Sequence, residues 1–446
     1  MNKLRIAVIG SGISGLSAGW LLSQRHDVSL FEAAAHIGGH ANTVTCQAPE
    51  GEIAIDTGFI VYNQAAYPNL VALFDYLDVP TATTEMGFAV SLDEGRVEYA
   101  GRGTSQIIGT ARNLIDPSHW LMLFDIARFF RTALPNARML PDDLSLGEFL
   151  SSNGYGTAFI ERHLLPMAGA IWSSAPRQML DYPARAFLQF FDNHGLLKLR
   201  NRPKWRTVAG GSREYVHRLL TDSRMTVSPS RPVRSVTRQS RRITIGLSDG
   251  ERQHFDHVVI ATHADTALSL LSAPTAQEGA LLSAFSYSRN RAVLHRDFRF
   301  MPRHRRLWSS WNYIGSGGDR HCAVTYWMNA LQPLATSTNY FVSLNPAIEP
   351  EAGSVICSHD YDHPIFDARA MAAQRQLWDL QGQQNTWFCG AHFGSGFHED
   401  GLQAGLAVAE ALGGIARPWR AANPSGRIYT RPIFPQHVPT HLEAAE

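Results

Sequence analysis

The sequence predicts an α/β fold on a parallel sheet, with a second, α+β body inserted into it. Three observations lead there. Residues Ile6 to Ile9 form a short apolar, β-branched run that enters Gly10, Gly12 and Gly15 at GxGxxG spacing. A second strand-like run, "DVSLFEA", ends in Glu32, 20 residues beyond Gly12. At 446 residues the chain exceeds the roughly 250–300 at which a single core stops growing, so two bodies are expected.

Ile6–Ile9 reads as a buried parallel strand, covered on both faces. Gly10 permits the tight turn, Gly12 lets a pyrophosphate approach the backbone, and Gly15 lets the next helix pack closely on the strand. That helix opens at Ile13 and Ser14 and presents unpaired N–H groups and a positive dipole end to phosphates. Glu32, followed by Ala33, stands at the spacing of a carboxylate that binds a ribose hydroxyl. Two competing readings fail. Gly15 to Gly19 matches GxSxG, but Ser17 falls inside the helix rather than at the strand-to-helix turn a hydrolase elbow needs. The uncharged run from Ile6 to Gln24 resembles a leader or short span, yet four of its residues are the glycines Gly10, Gly12, Gly15 and Gly19. The expectation is a cytosolic chain, at most attached to a membrane surface.

Composition excludes several classes. Hydrophobic residues at 44% and charged residues at 18% suit a globular chain. A net charge of +1 provides no global attraction to nucleic acid, and no aromatic–basic interleaving suggests such a module. Cys46, Cys322, Cys357 and Cys389 form no CxxC pair, which argues against a zinc cage or disulfide framework and suits a reducing compartment. Lys3, Lys198 and Lys204 are the only lysines.

Further motifs sharpen the reading. "GGHANTV" follows Glu32 with Gly38, Gly39 and His40, and "IDTGFIVYN" carries Thr57, Gly58, Phe59 and Tyr62. "TVAGGSREYVHRL", "RPVRSVTR" with Val233 and Val236, "FDHVVIATH" and "TWFCGAHFGSGFHEDGLQAG" come later. Together they resemble the two-dinucleotide-binding-domain flavoproteins of the flavin amine oxidase and phytoene desaturase superfamily. More closely they are similar to a bacterial branch of predicted NAD/FAD-binding proteins associated with cyclopropane fatty acid synthase-like enzymes. The resemblance implies FAD and a Rossmann-like FAD-binding domain assembled from 1–75, 205–270 and 385–416. It implies a substrate domain from 76–204 and 271–384, and residues 417–446 read as an extended tail. It places Gly38, Gly39, His40, Thr57, Gly58, Phe59, Val233, Gly390 and Ala391 around the cofactor. Asp400 is expected to cap the last helix, aiming the Gly401 and Leu402 amides at the flavin. This chain has Ala391 and His392 where relatives keep an acid, and His40 where they often have Arg.

The substrate side is less legible. "DPSHWLMLFDIARFFRTAL", from Asp116 to Leu134, reads most simply as a packing helix; the alternatives are a helix dipping into a membrane surface or framing an acyl tunnel. Seven arginines between Arg289 and Arg306, Arg291 among them, face one acid, Asp297, and suit an anionic head group or a solvated face. Trp311 and Tyr326 are candidates to line a channel, although adjacent aromatics more often form core. Flavin amine oxidases often keep a lysine in an N-K-V-x-L strand; the similar segment here, from Asn290 to Leu294, has Arg291 instead. The arginines would also repel an amine. The leading expectation is an FAD-dependent oxidoreductase acting on a small-molecule or lipid substrate, a fatty acyl chain, by desaturation or double-bond isomerisation. An amine or amino-acid oxidase and a non-catalytic flavoprotein partner of a lipid-modifying enzyme remain open. His40, Tyr62 and His392 are the candidate catalytic side chains. His392 and His398 beside Glu399 and Asp400 match no metal motif, and no metal is expected.

Overall fold

The computed structural model describes residues 3–101, 103–137, 139–141, 143–172, 176–197, 203–239, 242–315 and 323–432. The first sheet is parallel, with strands in the order Thr226–Ser228, Asp27–Phe31, Arg5–Ile9, His257–Ile260 and Thr386–Phe388. Val8 is opposite Leu30 on one side and Val259 on the other. Ile6, Ala7 and Val8 are fully buried, as a strand covered on both faces requires. Each large apolar side chain buried here contributes about 1.5–3 kcal/mol.

Gly10 takes a φ of +101° and its amide bonds the Phe31 carbonyl at 2.8 Å. That left-handed turn directs the chain into the helix Ile13–Ser23. The helix packs on the C-terminal helix His398–Gly413 and on Arg213–Asp222, where the Trp20 indole donates to Asp222 at 2.7 Å.

A seven-stranded sheet forms the second layer. Its order is Val355–Ile365, Ser286–His295, Phe341–Leu344, Val324–Trp327, Trp311–Gly315, Phe88–Leu92 and Val97–Ala100. The stretches expected as inserts therefore meet in one sheet, through the parallel pairing of Trp311–Gly315 with Phe88–Leu92. Helices between residues 104 and 193, including Pro117–Ala137, Leu165–Trp172 and Ala184–Asn193, complete this half. The C-terminal stretch through residue 432 is irregular and held to the body. Arg417 pairs with Glu410 at 2.7 Å, and Trp419 stacks on Trp20 with ring centres 5.9 Å apart. The rest of the tail reading, 433–446, lies outside the described residues.

Candidate active site

A cavity of about 1500 Å³ opens where the parallel sheet ends and runs between the helices and the large sheet. Pockets for one drug-sized ligand span roughly 300–1,000 Å³, so there is room for a large cofactor and a second molecule. The first part of its wall is local in sequence: Gly10, Gly12, Ile13, Ser14, Glu32, Ala33, Gly39 and His40. Thr57, Gly58, Phe59, Val233, Gly390, Ala391 and His392 also line it, as do Trp311 and Tyr326.

Glu32 organises the turn. Its carboxylate accepts from the Ser11 amide at 2.8 Å, the Ser11 hydroxyl at 2.7 Å and the Ala34 amide at 2.9 Å. A carboxylate offers about four acceptor positions, so one remains for a ribose hydroxyl. At Gly12 an added Cβ would meet nothing within 4 Å, which leaves the backbone open toward the cavity. These features fit a dinucleotide. Glu32→Gln is expected to weaken FAD binding about 10- to 100-fold, the worth of a charge-assisted hydrogen bond. Flavin fluorescence on titrating the apoprotein reads this, and unchanged affinity would remove Glu32 from the cofactor site.

The rest of the wall is rich in histidines that the fold keeps neutral. Burial, then the neighbouring His363, His263 and His398, hold His40 well below its usual value. Burial brings His363 down to about 4, and His392 and His398 to about 3. His363 Nδ1 lies 2.9 Å from the Asn290 side-chain amide; accepting from it leaves the ring N–H at Nε2. The His398 ring stacks on Phe59 at 3.9 Å, and its Nε2 lies 2.7 Å from the Tyr215 hydroxyl. Tyr361 joins Asn42 at 2.9 Å and Thr57 at 2.7 Å, with His40 beside it. The Nε2 atoms of His40 and His392 are buried without a protein partner. Such atoms call for a polar ligand.

The loop from Gly390 answers what stands in for the missing acid. The His392 ring folds against Gly390, where an added Cβ would lie 2.5 Å from it. Gln374 ties the His392 and Gly394 carbonyls at 2.8 and 2.6 Å. A neutral ring and a held backbone take the place of a carboxylate.

Several expected site residues lie elsewhere. Gly15 and Gly38 support the cradle from behind: Gly15 packs on the Gly10 carbonyl, and the Gly38 amide bonds Ser11 Oγ at 3.2 Å. Asp400 is not the N-cap residue of the last helix, a position held by Phe397. It stands three residues further on and caps from inside the first turn, its buried carboxylate accepting the Phe397 amide at 2.8 Å and meeting Arg427. Gly401 and Leu402 are then inside the helix, the Gly401 amide spent on the Phe397 carbonyl at 3.1 Å; His398 and Glu399 hold the first-turn amides. Tyr62 is buried away from the cavity against Tyr67 and Phe74, because its strand turns that face to the core. Arg291 lies on an exposed strand face, paired with Glu349 at 2.6 Å. Arg289, Arg299 and Arg303 are likewise paired with Asp360, Asp297 and Glu94.

For the helical wall, sequence reading offered residues 116–134 as a tunnel-framing helix only as an alternative to a packing helix, and singled out none of Leu123, Ile126, Ala127 and Phe130. It missed Met167, Ile171, Trp172, Phe190 and Leu196 altogether. It also missed His363, Tyr361 and Lys204. No short motif marks these positions; the lysine scarcity was the one usable signal for Lys204. Among the described residues, no group of His, Cys, Asp or Glu is arranged to hold a metal ion.

A family model described as flavin containing amine oxidoreductase matches residues 13–295, more than half of the chain. No curated protein matches the sequence. Among solved structures, a provisionally named protoporphyrinogen oxidase from Exiguobacterium sp. 255-15 superposes with a TM-score of 0.68 at 14% identity, covering 93% of this chain and 99% of that one. A CLA-producing fatty acid isomerase from P. acnes gives 0.64 at 16%, covering 92% and 98%. Cyclohexylamine oxidase from Brevibacterium oxydans IH-35A gives 0.62 at 17%, covering 92% and 100%. These likenesses establish the shared fold.

Proposed function

The chain belongs to the flavin-containing amine oxidoreductase family and is an FAD-dependent oxidoreductase; on that premise we propose that its substrate is an apolar carboxylate of the fatty acyl type. The observation that carries this reading is the helical wall of the cavity. From Thr83 to Trp205 its lining is apolar and aromatic, and Lys204 is the cation among the described lining residues. Burial keeps His163 and His194 in that wall neutral, at about 4 and about 3. Among the described residues lining this half, none is an acid that could receive an ammonium group.

Bound FAD supplies a two-electron acceptor. The chain supplies position. The Gly10–Ser14 turn and the helix behind it would hold the pyrophosphate, Glu32 a ribose, and the loops at Gly39–His40, Thr57–Phe59 and Gly390–His392 the remainder. Leu123, Ile126, Phe130 and Ile171 would exclude water from the chain being oxidised. Neutral His363 would offer its N–H to developing negative charge, while His40 Nε2 and His392 Nε2 would hold or pass a proton. A fatty acid isomerase uses the same fold, so the architecture accommodates this substrate class. Amine oxidation is the competing reading, drawing on Asp360 and Asp362, the acids near the histidine cluster.

An anaerobic titration of the holoprotein decides. Unsaturated fatty acids are expected to bleach the flavin or to be recovered with a displaced double bond, whereas polyamines and amino acids do neither. Lys204→Met is expected to raise the half-saturating concentration roughly 2- to 5-fold, the worth of one exposed charge pair, with little change in limiting rate. Reduction by amines and not by fatty acids would reverse the assignment.

A further inference from the structure

Eleven large apolar side chains are exposed among the described residues, and five of them, Leu114, Ile115, Trp120, Leu121 and Phe124, fall within one short stretch. Ile115 is 83% exposed, Phe124 66% and Leu121 64%. They form one face. Leu114 and Ile115 end the short helix Ala111–Leu114, and the Trp120 indole folds back to the Leu114 carbonyl at 3.0 Å. Trp120, Leu121 and Phe124 then follow at helical spacing on Pro117–Ala137. A contiguous apolar face of this kind marks an interaction surface.

The same helix turns its adjacent face inward, where Leu123, Ile126 and Phe130 line the cavity. Ala127 belongs to both, being exposed and lining the cavity. Charge around the face is positive. Asp116 and Asp125 are neutralised by Arg162 at 3.1 Å and Arg128 at 2.9 Å. Arg112 and Arg131 are exposed and have no ion-pair partner among the described residues. No helix among the described residues is long and apolar enough to cross a membrane, so any membrane contact through this helix is a surface one.

We infer that this face docks on an anionic lipid bilayer and sets the cavity mouth against it, so that an acyl chain passes from the membrane into the site. The apolar side chains enter the acyl boundary while Arg112 and Arg131 meet anionic head groups. The inference rests on the acyl reading for its purpose; the docking itself does not depend on turnover.

The test is co-sedimentation of the FAD-loaded protein with vesicles of phosphatidylcholine alone or mixed with phosphatidylglycerol. Binding to the anionic vesicles is expected, weakening several-fold as salt rises. The triple change I115Q/L121Q/F124Q is expected to weaken it by about tenfold or more. R112Q/R131Q is expected to lose only the preference for anionic vesicles. Both variants should keep their flavin and their rate on detergent-dispersed fatty acid. A wild-type protein that stays in the supernatant with both vesicles overturns the inference, as does a triple variant that binds undiminished. A dimer that the triple variant dissociates would also overturn it, assigning the face to a second copy. Vesicle binding without any reaction on fatty acids would instead sink the substrate reading alone.

Discussion

Gly15→Val is expected to yield a chain that unfolds several degrees earlier and carries little or no flavin. A Cβ at Gly15 would stand 1.9 Å from the Gly10 carbonyl oxygen and 3.1 Å from Ala261 Cβ. Neither neighbour can yield cheaply. The Gly10 turn is tied to Phe31 by its amide, and Ala261 follows His257–Ile260, the strand paired beside the central one. The helix cannot retreat either, because the C-terminal helix sits against its other side, where a Cβ on Gly405 would lie 2.2 Å from the Ser14 carbonyl. Overpacking at such a site costs about 1–3 kcal/mol or more, out of a stability of about 5–15 kcal/mol. Gly12→Ala is the matching control. With nothing within 4 Å, its methyl should leave the apoprotein's unfolding midpoint unmoved while lowering flavin content, since it projects where a pyrophosphate must approach. Flavin absorbance per polypeptide and thermal unfolding read both. A valine variant with full flavin and a wild-type midpoint would show that the helix and turn are not in the contact described.

Stability is expected to fall steeply as pH drops from 6.5 toward 4. His163 and His363 are depressed to about 4, and His194, His392 and His398 to about 3, each chiefly by burial. The unfolded chain binds protons at these groups near 6.5, whereas the folded chain does not. Their stabilisation is therefore complete above 6.5 and is lost as pH falls toward the folded values. Each group withdraws up to about 1.4 kcal/mol per pH unit. Asp56, Glu399 and Asp400 act in the opposite sense. Burial raises all three, Asp56 to about 6, so they stabilise the fold as pH falls. They are outnumbered by the five imidazoles together with His40 and His295, which burial also lowers. Denaturant midpoints across this range read the slope, and His163→Gln should reduce it by about one proton's worth. A stability profile flat from pH 7 to 5 would mean that these rings are hydrated and able to charge in the folded protein.

The cofactor cradle was legible because its demands are local. A turn at Gly10, a close approach at Gly15 and an acid at Glu32 are set by backbone geometry within about thirty residues. The strands at Phe88–Leu92, Ser286–His295 and Phe341–Leu344 are patterns of the same local kind, short runs with β-branched and aromatic residues. The helical wall was not legible, since the apolar pattern of Pro117–Ala137 does not distinguish a side chain facing a cavity from one facing core or solvent. Only the packed fold showed that Leu123, Phe129 and Phe124 on that helix point to cavity, core and solvent respectively.

By itself, then, the sequence determined the fold class, the dinucleotide turn and the cofactor, because each rests on conformations and spacings that neighbouring residues impose. Tertiary structure decided the rest. It gave Arg291 a carboxylate from Glu349, 58 residues away. It withdrew Tyr62 and Asp400 from the cavity and brought His363 and Lys204 to it. Which face of an element is buried, and which charge meets a partner, depends on chain segments distant in sequence, and no local pattern encodes that encounter.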